Sequence, residues 1–73
     1  MFRKEFILDS ATKLTLEHSK VGWTYLVHNQ PVSYGNQALA DAQLWVNNFA
    51  IRYPGYAAKM QGHYDNFVGE SYL

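Results

Sequence analysis

Cysteine is absent from the 73 residues, which excludes a disulfide framework and a thiolate zinc site. Stability must then come from packing or from a partner subunit, in keeping with a reducing compartment. Charge is scarce and balanced: six Lys+Arg stand against six Asp+Glu, so there is no overall surplus for neutralising a phosphate backbone. Long apolar runs are missing too. No stretch approaches the roughly 18 apolar residues that span a bilayer, and the run Phe6-Ile7-Leu8 behind the basic Arg3-Lys4 is shorter than the about 7 to 15 residues of a signal-peptide core. The expectation is a cytoplasmic protein with no export signal and no membrane partner.

What is present is aromatic: 16% aromatic and 48% hydrophobic residues beside 16% charged ones is the reverse of a disordered composition. The chain should fold as one domain, with residues 1–55 as its core and 56–73 as a tail or short helix of the same domain. A chain of roughly this length buries only about 60% of its unfolded surface. An enclosed cleft is hard to build at that size without oligomerising, which argues against an autonomous enzyme.

The first half repeats with period two and the second with period near 3.6, the change falling at Asn29-Gln30-Pro31. Leu14 and Leu16 alternate with Lys13, Thr15 and Glu17, as in a half-buried strand. Val21, Trp23, Tyr25 and Val27 share a face of the next run. A hairpin joining these two runs favours a Ser19–Gly22 loop, pairing Leu16 with Tyr25 and Leu14 with Val27, because Gly22 can adopt positive φ. Glu5–Asp9 is a further strand, with Phe6 and Leu8 chosen for the core face and Ile7 for the far face beside Leu26. Val32-Ser33-Tyr34 can add an edge pairing. Behind the N-cap Asn36, Leu39, Ala42, Val46, Phe49 and Tyr53 recur at helical steps until Tyr53-Pro54-Gly55 ends the helix. Tyr56, Met60, Tyr64 and Phe67 repeat at helical spacing across a costly Gly62. The fold class expected is α+β: a three-stranded antiparallel β-meander packed by one α-helix, with an aromatic C-terminal tail or short second helix.

Chemistry-bearing patterns are sparse. His18, His28 and His63 form no His-x-x-x-His or Glu-x-x-His pair, so no metal and no cofactor is assigned. The serines fall at turns, where local backbone bonding explains them. Adjacent Glu17 and His18 point to opposite strand faces, and the glycines are too dispersed to cradle a phosphate. No catalytic residue is assigned.

Two binding surfaces lead, ahead of a third reading, carbohydrate or small-ligand binding through Trp/Tyr and Asn/Gln side chains. Ile7 and Leu26 on the open sheet face, with Tyr56, Tyr64, Phe67 and Tyr72 of the tail, exceed what one sheet and one helix can cover, and aromatics are enriched at protein interfaces. The competing reading is that the tail folds over the open face and buries them within one chain. The second surface is the exposed strand face with its edges, Arg3, Lys4, Lys13, Thr15, Lys20, Thr24 and His28, which would face nucleic acid. The balanced charge places it second. The leading expectation is a small non-enzymatic protein-interaction domain that forms a homo-oligomer. Small domains of this strand and helix order occur in DNA-binding arms and in phage or mobile-element accessory proteins, an analogy of architecture only.

Overall fold

The computed structural model describes residues 2–9 and 12–70, with side chains for 14–70. Four strands run in chain order as one antiparallel meander: β1 (Phe2–Asp9), β2 (Thr12–Ser19), β3 (Gly22–Val27) and β4 (Gln30–Tyr34). Two helices follow, α1 (Gly35–Arg52) and α2 (Ala57–Glu70), joined through the single 3-10 turn Pro54–Tyr56. The expected three-strand meander with its helix is present. The edge piece at Val32–Tyr34 extends it as β4, and the tail is helical.

The β2–β3 register pairs Leu14 with Val27 and Leu16 with Tyr25, as the hairpin argument expects. Pairing continues to Ser19 and Gly22, leaving Lys20-Val21 at the tip, where Gly22 takes φ +103. The Ser19 hydroxyl accepts the Val21 N–H at 3.3 Å. Val21 is therefore a turn residue, 89% exposed, rather than a member of the apolar strand face. The β3–β4 turn was not legible as a hairpin. His28 and Asn29 both adopt positive φ, 50° and 65°, between the paired Val27 and Gln30, which is the primed geometry that closes a two-residue loop. Between the pairs Tyr25–Ser33 and Leu26–Pro31 the register slips by one residue, so Val32 is a bulge. Pro31 and this bulge both weaken an edge for further strand pairing.

In β1 the backbone register sets Phe6 opposite Leu14 and Ile7 opposite Lys13, consistent with the expected facing, and slips across Leu8. On the helix side of the sheet, Leu14, Leu16 and Trp23 pack against Ala38, Ala42, Trp45, Val46 and Phe49 of α1. Ala38 and Ala42, fully buried, let α1 lie close to the strands. The helix begins at Gly35, whose φ of +64 turns the chain out of β4. Tyr34 occupies the N-cap without a side-chain hydrogen bond, so Asn36 is inside the helix and not its cap. At the other end the Tyr53 N–H reaches the Phe49 carbonyl at 2.8 Å, and Pro54 begins the next turn.

The tail closes the core of its own chain. Tyr64 and Phe67 are each 7% exposed, the Phe67 ring meets Trp23 edge-on at 6.0 Å, and the Tyr64 hydroxyl donates to the Leu39 carbonyl at 3.0 Å. Gln43 and Gln61 exchange reciprocal amide bonds of 2.7 and 2.9 Å between α1 and α2. The second helix thus lies beside α1 on the helix side of the sheet and not over the open face. The accessible surface of 4703 Å² for 8.4 kDa is close to the about 4600 Å² expected of a compact monomer.

Candidate functional surfaces

The tail helix redistributes the residues expected at an interface. Tyr64 and Phe67 are core residues and Leu26 is 9% exposed, so these three do not form the apolar surface anticipated. For Tyr64 and Phe67 the physical reason is that α2 supplies the second helical layer that the argument from one sheet and one helix left out; Leu26 pairs with Thr15 and is not part of that helix-side core. Of the same set Tyr56 stays open, 62% exposed in the turn before α2. The Ile7 side chain and Tyr72 lie outside the described residues.

The strand-face set is also dispersed. Thr15 has no accessible surface, so its hydroxyl cannot touch a ligand. His28 is exposed in the β3–β4 turn and Lys20 in the β2–β3 turn, at opposite ends of β3, while Thr24 is half-buried between them. Positions 3 and 4 pair with Glu17 and Leu16 respectively, and neighbouring strand positions belong to opposite faces. Arg3 and Lys4 therefore do not share a face, and Arg3 stands opposite an acidic residue. The side chains of Arg3, Lys4 and Lys13 lie outside the described residues. Among the described residues no group of three or more His, Cys, Asp or Glu side chains could hold a metal ion. His18 instead stacks on Trp23, ring centroids 4.1 Å apart and 6° from parallel.

A polar clamp ties the end of the sheet to α1. The Ser33 hydroxyl donates to Asp41 Oδ2 at 2.6 Å and the Gln37 amide to Oδ1 at 2.8 Å. These two bonds, the serine's foremost, hold the Asp41 carboxyl below its ordinary pKa against a smaller effect of burial. Both oxygens are occupied: the Ser33 bond fixes α1 on β4, and the Gln37 bond holds the carboxylate from within the helix. The clamp orients the helix and offers no free base.

The surface that sequence reading missed is the outer side of α1. Gln37, Gln43, Asn47 and Asn48 lend that side polar character, yet Leu44 is 57% and Ile51 78% exposed there. At 100° per residue Ala40, Leu44 and Ile51 fall within 40° of one another, opposite the buried stripe. The resulting seam Gln37-Ala40-Leu44-Asn47-Ile51 follows the alternating three and four residue spacing of a helix that packs on another helix. It contains no charged residue. The signal was present in the sequence as a second apolar spacing, overshadowed by the stronger one facing the sheet.

Among the described residues no helix is long and apolar enough to cross a membrane. Set against known protein families, curated proteins and solved structures, the chain matches none of them.

Proposed function

We propose that the protein is a non-enzymatic interaction domain that self-associates through the outer face of α1. The observation that carries this reading is the exposure of Leu44 and Ile51 on an uncharged helical seam. Interface centres are depleted of charge, and a surface that meets its own copy must not set like charges against each other. In an antiparallel pair of α1 helices with a two-fold axis between positions 47 and 48, Leu44 of each copy lies opposite Ile51 of the other, and Asn47 opposite Asn48. Such a contact is self-complementary, as two-fold symmetry requires. Arg52 and Asp41 flank the seam, opposite the uncharged positions 43 and 54 in this register.

The core is already closed within one chain, so association need not be coupled to folding. Both seam residues can then be replaced by charges without disturbing the sheet. Sedimentation velocity over a range of protein concentrations should show reversible association. Leu44→Glu or Ile51→Lys alone should give a monomer, since either sets two like charges, one from each copy, at a desolvated seam. The double variant should associate again, because each glutamate then faces a lysine of the other copy. A wild-type protein that stays monomeric at high micromolar concentration would overturn the proposal. So would single variants that associate as the wild type does.

A further inference from the structure

A cavity of about 200 Å³ opens where the end of α1 meets the start of α2, lined by Phe49, Tyr56, Lys59, Met60 and His63. We propose that it binds a small aromatic carboxylate of about benzoate size. The site is separate from the α1 seam, because Phe49 belongs to the buried stripe of the helix.

Its shape follows from the helical spacing of α2. Tyr56 at the end of the 3-10 turn and Lys59, Met60 and His63 on α2 step by three, one and three, so they project along one side of the chain there. Phe49 closes the site from α1, held at the centre of a ring series by Trp45 at 5.9 Å and Tyr53 at 5.2 Å. Two aromatic rings and a thioether make an apolar, polarisable lining suited to an aromatic ring. Lys59 and His63 are exposed on the same side, and no carboxylate lines the cavity. Neither cationic-type side chain makes an ion pair or hydrogen bond among the described residues. The combination of a ring-lined cavity with N–H donors and no acceptor charge favours an anionic head on an aromatic body. A neutral aromatic molecule would leave the Lys59 ammonium unused, and a small aliphatic anion would leave the rings uncovered. The volume is below the about 300 Å³ at which drug-sized sites begin, which restricts the ligand to a single ring.

Titration of the full chain with benzoate, benzyl alcohol or acetate, followed by the Met60 methyl and the amide resonances of α2 in NMR spectra, tests the proposal. Benzoate should give saturable shifts centred on Phe49, Tyr56, Met60 and His63, with Kd on the order of 1 mM, as befits nine heavy atoms in an open site. Benzyl alcohol and acetate should each bind at least about fivefold more weakly. Lys59→Gln, a change at an exposed position, should reduce benzoate binding to the level of benzyl alcohol and leave benzyl alcohol unaffected. Equal binding of benzoate and benzyl alcohol would overturn the proposal, as would shifts that fail to saturate or that persist unchanged in Lys59→Gln.

Discussion

At Asp41 a single carboxylate carries the joint between sheet and helix. The Ser33 hydroxyl and then the Gln37 amide depress its pKa, which means that the folded state favours the ionised form. The sign of the linkage follows: the stabilisation is present at pH values above the ordinary carboxylate range and is lost as pH falls through the lowered folded value. The neighbouring Tyr25 phenol is shifted the other way, pushed above its ordinary value of 10.0 first by burial and then by the Asp41 charge. Its contribution is complete below that ordinary value and is lost as pH rises through the raised one. Replacing Ser33 with alanine should move the Asp41 pKa upward in an NMR titration of the side-chain carboxyl carbon, and should flatten the acid limb of the stability profile. An unchanged Asp41 titration would show that the 2.6 Å bond is not what holds it down. This clamp could not be read from sequence, because Ser33 lies in β4 and Asp41 in α1, and they meet only through the tertiary packing of helix on sheet. His28-Asn29 was equally hard to read: asparagine tolerates positive φ readily, but histidine there is uncommon enough not to announce a primed turn.

Among the elements, β2, β3 and α1 were legible because each buries one face and so writes its period into the sequence. Leu14 and Leu16 alternate, and Ala42, Val46 and Phe49 recur at helical steps. The second helix was harder, since Gly62 interrupts it and only Tyr64 and Phe67 are fully committed to the core. Its aromatics therefore read as a surplus seeking a partner, when they are the second layer of one core. Glycines test this account with opposite signs. A Cβ at Gly62 would meet nothing within 4 Å, and its φ carries no positive value, whereas Gly22 has φ +103. Gly62→Ala should stabilise the protein by about 0.5 to 1 kcal/mol, by restricting the unfolded chain and improving helix propensity. Gly22→Ala should destabilise it by about 1 to 2 kcal/mol, because an L side chain is strained in that conformation despite the free space. Urea unfolding of the two variants checks both signs. A Gly62→Ala protein less stable than wild type would contradict the helical assignment of the tail.

For the whole molecule the decisive quantity is the arrangement of a small number of charges. Six basic and six acidic residues sum to +0, so binding to phosphates would require the basic ones to gather on one surface. Those with described side chains do not. Lys20 lies at one hairpin tip, Arg52 at the end of α1 and Lys59 on α2, and in the backbone register Glu17 stands opposite Arg3. An uncharged helical seam, by comparison, needs no segregation of charge. The two readings respond differently to salt. Release of counterions from DNA lowers log K with log salt at a slope of about 0.9 per phosphate contacted, so a nucleic-acid binder should lose affinity steeply. Self-association through Leu44 and Ile51 should change by less than about twofold between 50 and 300 mM salt, because Debye screening acts on charges that the seam lacks. No binding to random-sequence duplex DNA is expected near 150 mM salt, whose Debye length is about 8 Å. Fluorescence anisotropy on labelled DNA and sedimentation at the same salt concentrations measure both quantities on one sample. Sub-micromolar affinity for random DNA, reduced in slope by about one unit in Lys20→Ala, would reverse the ranking and place function at the β2–β3 tip rather than on α1.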